Sequence, residues 1–392
     1  MRIREEIENF EQSSLASYAM KSRDTAGRLN EEPTQSIRTC YQRDRDRIIH
    51  SQAFRKLEYK TQVFAIFEGD YYRTRLTHTI EVAQIARTIG RSLCLNEDLI
   101  EAIALAHDLG HPPFGHAGEA ALNSIMQDYG LMFNHNVRSF EILTKYEKRY
   151  PGFDGLNLTE EVLVGILKHK TISNIPEHIK QYLNKGATLE AQVVDLADSL
   201  AYLSHDIDDG LTSGCICTED LLENSLWNDV YEYVQKNSPI NDKQVLKYQM
   251  VKNLINFQIQ DLLTCSDEVL NNRNFQSSDD VKKFNLENPD KRFIVFSSKM
   301  FEQRTNLQKL LHEKLYNHYR VLRMTIKAQR IINDLFKVYA ENPNQLPYSV
   351  YDKVYQYTEK QRQGIICHYI ASMTDRFALD EYKKLFDPYQ KV

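Results

Sequence analysis

The stretch His107-Asp108-Leu109-Gly110-His111-Pro112-Pro113-Phe114-Gly115-His116-Ala117-Gly118-Glu119 gathers three histidines and two carboxylates, in a chain of 392 residues with only 12 histidines. The run before it, Leu99 to Ala106, reads as a buried apolar helix. His107 and Asp108 therefore ride on the end of an apolar element. Burying such a pair unpartnered costs on the order of several kcal/mol, and a divalent metal is one partner that removes the cost. A second polar stripe lies on apolar ground between Leu189 and Asp209. There Asp195, Asp198, Tyr202 and Asp206 recur at i, i+3, i+7 and i+11, on one side of a single helix. Val193, Val194, Leu196, Ala197, Leu200, Ala201 and Leu203 surround them, so the stripe needs a cation or a polar ligand to face.

His78 sits in the first turn of another helix, three residues after Arg75. Alone it would read as a cap or a satisfied core histidine. Taken with His107, Asp108 and Asp198, it completes a set of two imidazoles and two carboxylates from three separate helices. That set suits an open, octahedral divalent ion, Mn2+ foremost, or Mg2+, Co2+, Ni2+ or Fe2+, more than a closed structural zinc site. His116 and Glu119 lie three apart on the helix that restarts at Phe114. A carboxylate at that spacing can fix an imidazole tautomer and raise its basicity, as acid/base work requires; a surface ion pair has the same spacing.

The elements that must carry these residues are helical. One helix is expected from about Thr77 and one from Glu97 to Leu109, stopped by Gly110 and Pro112-Pro113. His111, at or past that end, projects over the site. Thr34 to Phe64 reads as largely helical, Glu68 to Tyr72 as a turn, and Asn134-His135-Asn136 as a helix start. Asn157 and Glu160 read as a capping box, and Lys168-His169-Lys170 as that helix's end. Beyond Gly210 an amphipathic helical stretch runs from Asp220 to Leu263. Cys265 to Asp290 reads as a loop or weakly ordered linker, Arg292 to Ser297 as the one strand candidate, and Met300–Tyr339 and Ser349–Met373 as two long helices. The expected fold class is all-α with at most a short β element. Its segments are residues 1–35, a core over 36–215, and a helical C-terminal region over 216–392.

Composition agrees: 42% hydrophobic, 26% charged, with only 14 Gly and 10 Pro. Met1 to Glu6 has no apolar leader pattern and no window approaches 18 apolar residues, so a cytoplasmic, non-membrane protein is expected. Six scattered cysteines fit reduced thiols, and Cys215-Ile216-Cys217 has no second pair to complete a metal site. A net charge of −5 does not advertise nucleic-acid binding. The local exception is Arg38, Arg43, Arg45, Arg47, Arg55, Lys56 and Lys60, which either line a phosphate cleft or pair with Asp44 and Asp46 on a solvated helix.

The order of His78, His107-Asp108 and Asp198 resembles the HD superfamily of metal-dependent phosphohydrolases. Flanking stretches sharpen this. Asp44-Arg45-Asp46-Arg47-Ile48-Ile49-His50-Ser51, Lys60-Thr61-Gln62-Val63-Phe64, Arg73-Thr74-Arg75-Leu76-Thr77-His78, His107 to Glu119, and Ala371 to Leu379 are similar to the deoxyguanosinetriphosphate triphosphohydrolase family, from about Asp24 to Phe386. The resemblance implies a mainly helical enzyme that cleaves a dNTP to deoxynucleoside and inorganic triphosphate. It implies His78, His107, Asp108 and Asp198 as metal ligands and His116 with Glu119 as the catalytic pair. His111 and His135 fall at further active-site positions, Gln62 and Asp206 hold the sugar 3′-hydroxyl, Tyr202 packs under the sugar, and Arg75 binds phosphate. It also implies a homo-oligomer, tetramer or hexamer, and for some members a dNTP or single-stranded DNA effector. Two other readings stand beside it. One is an HD phosphohydrolase acting on nucleoside monophosphates or cyclic nucleotides, against which Gln62, Tyr202 and Asp206 speak. The other is a nucleotide- or single-stranded-DNA-binding regulatory protein on the same fold, against which the intact His116/Glu119 pair speaks.

Overall fold

In a computed structural model that describes residues 2–62, 72–167, 176–355 and 358–391, the chain folds as α-helices, with no β-strand among the described residues. Only isolated bridges occur, such as Thr61 with Thr74. The elements in order are α1 Arg4–Ser14, α2 Cys40–Ile49, α3 Gln52–Lys56, α4 Arg75–Ser92, α5 Glu97–Ala106, α6 Gly115–Asp128, α7 His135–Glu141, α8 Glu160–Ile166, α9 Glu177–Leu183 and α10 Leu189–Ser213. There follow α11 Thr218–Leu221, α12 Ser225–Asn237, α13 Lys243–Arg273, α14 Ser278–Glu287, α15 Ser298–Leu311, α16 Tyr319–Glu341, α17 Tyr348–Tyr355, α18 Glu359–Ala371 and α19 Asp375–Phe386. No described helix is long and apolar enough to cross a membrane. All six cysteines are free thiols.

Local chemistry sets the helices that matter for the site. The Asn96 side chain caps α5 by accepting from the amides of Asp98 and Leu99 at 3.1 and 3.2 Å. Every residue of α5 from Leu99 to Ala106 except Glu101 is then a buried apolar one. Thr74 caps α4, which puts Arg75 and His78 in its first turn. Thr188 caps α10 and Gly214, in the left-handed region, ends it. α4, α5 and α10 pack on one another around Val82, Ala86, Ile89, Ile100, Ile103, Val193, Ala197 and Leu200. Burying each such Val, Ile or Leu contributes about 1.5–3 kcal/mol. The same core takes in Leu262 and Leu270 of α13, Val281 of α14, Phe293 and Ile294. A second core joins α6 to α16 and α18, through Leu122 and Met126 with Ile332, Leu335 and Ile370. A third joins the end of α10 to α12, α13 and α15.

Several expectations are corrected. Cys265 to Asp290 is no linker: α13 continues to Arg273, and Ser277 with Asp280 forms the capping box that starts α14. Those polar residues are helix punctuation. Arg292 to Ser297 is not a strand. Gln192 Oε1 accepts the amides of Phe293 and Ile294, Ser266 Oγ that of Val295 and Asp261 that of Ser297, so side chains replace a ladder. Asn157 does not cap α8, whose N-cap residue is Thr159. Asn157 has φ +50° and instead binds Asn30 and Glu32. The helix carrying His107 ends at Ala106, short of Leu109. Met300–Tyr339 is two helices parted by a π-helical turn, His312–Tyr316, and Ser349–Met373 is α17 and α18. The expected turn over Glu68-Gly69-Asp70-Tyr71, the Val63-Phe64 part of a matched stretch and the helix end at Lys168-His169-Lys170 lie outside the described residues.

The basic segment resolves mostly into ion pairs. Arg38 meets Asp46 at 2.5 Å, Arg45 meets Asp98 and Glu101 at 3.4 Å, and Arg47 meets Glu32 at 2.7 Å. Lys56 and Lys60 turn inward instead, donating to the carbonyls of Ser372 and His111.

Candidate active site

Three helices deliver one cluster. Asp198 Oδ1 of α10 lies 3.1 Å from His78 Nε2 and 3.5 Å from His107 Nε2. Asp108 Oδ1 lies 3.2 Å from His107 Nε2, and its Oδ2 lies 3.9 Å from His78 Nε2. His78, His107 and Asp108 are buried, and their donor atoms stand close enough together to share one ion.

The hydrogen bonds behind the cluster test whether a cation belongs there. His107 Nδ1 lies 2.6 Å from the Ala104 carbonyl and must carry the proton to donate to it. A neutral His107 then presents a bare Nε2 lone pair to two carboxylate oxygens. On the other side, His205 Nε2 lies 2.6 Å from Glu81 Oε2, and His205 Nδ1 lies 3.2 Å from His78 Nδ1. With His205 donating to Glu81, its Nδ1 accepts from His78 Nδ1–H, and His78 Nε2 also faces Asp198 as a lone pair. Two lone pairs and two carboxylates pointing together repel unless a cation sits among them. The residues fit a divalent metal, and Glu81–His205 is the outer support that such histidine ligands commonly have.

A second group adjoins the first. His111 Nε2 lies 3.2 Å from Asp108 Oδ1, and its ring stacks on His135 at 3.9 Å and 16°. Glu119 accepts from His135 Nδ1 at 2.8 Å and from the His135 amide at 2.9 Å. His116 Nδ1 stands 3.8 Å from Glu119, and its exposed ring lies edge-on to Tyr202 at 6.0 Å. Glu119 is thus hydrogen-bonded to His135, while His116 is within ion-pair range only. Burial pushes the Glu119 carboxyl up, but the His116 and His135 imidazoles outweigh it and hold it well below the usual carboxylate range. Burial likewise disfavours the charged Asp108, yet its surroundings, with the Arg75 guanidinium donating to it at 2.7 Å, hold it well below that range. Burial, then Arg75 and His135, push His111 well below an ordinary histidine, so it is a neutral imidazole at neutral pH.

The main chain holds this pair of clusters together. Ser139 Oγ of α7 donates to the His107 carbonyl at 3.0 Å and accepts from the Gly110 amide at 2.8 Å. A Cβ on Gly110 would lie 2.1 Å from the His135 carbonyl oxygen, so only glycine lets α7 approach. Arg75 Nη1 donates to Asp108 Oδ2 at 2.7 Å, whereas its buried Nε and Nη2 have no hydrogen-bond partner among the described residues. Gln62 is buried beside Gly115, its Oε1 without a partner among the described residues. Asp206, at the far end of the α10 stripe, accepts from the Tyr316 hydroxyl. Burial, then the Asp209 charge, raise its carboxyl well above the ordinary value. Asp195 lies off the cluster and pairs with Arg292 at 2.5 Å.

His205, Glu81 and Tyr316 were not anticipated. His205 follows Asp198 by seven residues on the same helix, and Glu81 follows His78 by three, so both stripes were readable. Tyr316 comes from a distant π-helical turn that no local pattern ties to Asp206.

Residues 75–212 match the HD domain and residues 294–384 the phosphohydrolase-associated domain. The fold and site are therefore those of an HD-domain phosphohydrolase. A protein of Geobacter sulfurreducens named deoxyguanosinetriphosphate triphosphohydrolase-like is 46% identical over 390 residues, covering 99% of each chain. Like-named proteins of Geobacter metallireducens and Ralstonia pickettii are 47% identical over 384 residues and 46% over 376, covering 97% of both chains and 95% and 94% respectively. The chain belongs to the deoxyguanosinetriphosphate triphosphohydrolase-like family.

Proposed function

We propose that the protein is a metal-dependent dNTP triphosphohydrolase that converts dGTP, or dNTPs more broadly, to deoxynucleoside and inorganic triphosphate. The observation that carries this is the junction of two clusters at Asp108. One of its oxygens faces both the His107 ligand nitrogen and His111, which stacks on the Glu119-bound His135. A divalent cation, Mn2+ foremost, would be held by His78, His107, Asp108 and Asp198 and would supply Lewis-acid charge for phosphoester hydrolysis when bound.

The chain's own residues supply the rest. Neutral His111 and the Glu119-held His135 present imidazole nitrogens at the edge of the ligand cluster, where they hold or take a proton from the attacking water. His116, exposed at the mouth, is placed to give a proton to the departing 5′-oxygen. The guanidinium nitrogens of Arg75 that have no partner among the described residues, Nε and Nη2, would bind phosphate oxygens. Tyr202 forms a flat wall beside His116 for the sugar, and Gln62 and Asp206 offer groups to its 3′-hydroxyl. We extend the proposal to a homo-oligomer, tetramer or hexamer, working in the cytoplasm, with a dNTP or single-stranded DNA as effector.

The test is product analysis. The protein is incubated with Mn2+ and each dNTP, singly and mixed, and the products are resolved by ion exchange. Deoxynucleoside plus intact triphosphate, lost in Asp108→Ala, supports the reading and reports base preference. Turnover only in mixtures indicates an effector site. Orthophosphate or pyrophosphate as product would overturn it.

A further inference from the structure

The motif Thr374-Asp375-Arg376-Phe377-Ala378 lies in the phosphohydrolase-associated domain, far along the chain from the site residues, and the chemistry above gives it no task. Asp375 is nonetheless buried, at 3% exposure. It is not needed to cap its own helix, because Thr374 does that by accepting the Phe377 amide at 3.2 Å. Its two oxygens go to two other segments. Oδ2 accepts from the Thr61 amide at 3.0 Å and from the Thr61 hydroxyl, and Oδ1 accepts from the Phe114 amide at 2.9 Å.

Each of those segments leads directly into the site. Thr61 precedes Gln62. Phe114 has φ +64°, a conformation that a bulky residue rarely adopts, and Gly115 follows at φ +57°. That double left-handed turn starts α6 and so sets His116 and Glu119. The two segments touch: a Cβ on Gly115 would lie 3.3 Å from the carbonyl oxygens of both Thr61 and Gln62, and 3.1 Å from Arg75 Nη2. Thr61 is also bridged to Thr74, next to Arg75, and Lys60 donates to the His111 carbonyl. A carboxylate is costly to bury, and this one is spent on the two segments that lead into Gln62 and His116.

We infer that Asp375 is a positioning residue, through which the C-terminal domain sets Gln62 and Arg75 in register with His116 and Glu119. The inference rests on the dNTP hydrolysis proposed above. It predicts that breaking the clamp slows turnover without disturbing the ligand cluster, none of whose residues Asp375 touches.

The experiment compares wild type, Asp375→Asn, Thr61→Val and Thr61→Ser as full-length proteins. It reads kcat and KM for each dNTP, Mn2+ affinity by calorimetry, thermal melting, and amide hydrogen exchange at 61–62 and 114–116. Thr61→Val keeps the shape and removes only the hydroxyl. We expect it and Asp375→Asn to lower kcat by about 10- to 100-fold, the scale of a small misplacement, with Mn2+ affinity unchanged. Thr61→Ser should restore kcat. If Asp375→Asn does not fold, Thr61→Val decides. Wild-type kcat and KM in folded Thr61→Val would overturn the inference, as would parallel loss of Mn2+ binding and melting temperature. If wild type hydrolyses no dNTP, the proposed reaction fails instead. The clamp is then judged on exchange alone: faster exchange at both loops in Thr61→Val upholds it, and unchanged exchange overturns it.

Discussion

His78 and His205 meet nitrogen to nitrogen, Nδ1 to Nδ1 at 3.2 Å, and only one of those nitrogens can hold the shared proton. Glu81 decides which. By taking His205 Nε2–H it leaves His205 Nδ1 bare, so His78 must donate there and turn its Nε2 lone pair toward Asp198. Arg73 in turn fixes Glu81 at 3.0 Å while also pairing with Asp208 and Asp209. Burial tends to raise the Glu81 carboxyl, but His205 and Arg73 bring it down to about 2, so it is an acceptor throughout the neutral range.

Replacing His205 by Ala, or Glu81 by Gln, is expected to weaken Mn2+ binding by about 10- to 100-fold. Calorimetric titration of the metal-free protein measures this directly, independent of turnover. The same preparations should show a smaller rise in melting temperature on adding Mn2+, because ligand stabilisation follows the ratio of concentration to Kd. Equal Mn2+ affinity in wild type and His205→Ala would refute the relay.

Glu119 gives a contrasting prediction. It lies one cluster over and contacts His135, not a ligand histidine. Glu119→Gln should lower kcat by about 10²- to 10⁴-fold, the usual worth of a positioned acid or base. Its bound metal, read by elemental analysis after dialysis, should equal that of wild type. Metal loss in this variant would mean that Glu119 supports the ligand cluster instead.

The cluster of His78, His107, Asp108 and Asp198 was legible because its residues break an apolar pattern. His107 and Asp108 end a helix that is otherwise buried, and Asp198 sits among Ala197, Leu200 and Ala201, so a polar residue there demands a partner. The all-α class was legible for the same reason of periodicity. What periodicity does not carry is the capping and tertiary satisfaction of polar atoms. Ser277 and Asp280 looked like loop residues because the reciprocal bonds they make, Ser277 Oγ accepting the Asp280 amide and the Asp280 carboxylate accepting the Ser277 amide, are invisible in composition. Arg292 to Ser297 looked like a strand because nothing local says that Gln192, Ser266 and Asp261 will take its amides. Glu119 was placed with His116 because sequence spacing shows i, i+3 neighbours and cannot show that α7 brings His135 closer.

Glu190 offers a pH test of the core beneath the site. One oxygen accepts the amides of Met20 and Asn96 at 2.9 and 3.2 Å, the other has no partner among the described residues, and burial pushes the carboxyl up to about 7. A folded value above the unfolded one means that this group's stabilisation is full below the unfolded value and is lost as pH rises through about 7. Wild type should therefore lose on the order of 3 kcal/mol relative to Glu190→Gln between about pH 5 and pH 8. Urea unfolding at both pH values reads the difference. A constant gap would show that Glu190 is ionised throughout.

Gly110 tests whether α7 must touch the His107 turn. A Cβ there would stand 2.1 Å from the His135 carbonyl oxygen and 2.4 Å from the Ser139 amide nitrogen, both backbone atoms that cannot swing aside. Gly110→Ala must push α7 outward, stretching the two bonds that Ser139 Oγ makes to Gly110 and His107. Overpacking of this kind costs about 1–3 kcal/mol, and each buried hydrogen bond lost costs about 1 more. The displacement also separates His135 from the His111 ring on which it stacks at 3.9 Å, while His78 and Asp198 stay on their own helices. The expected variant is a folded protein with a lower melting temperature, retained metal binding and a kcat reduced by about 100-fold. Full activity with a lowered melting temperature would show that the His111–His135 stack is packing and takes no part in turnover.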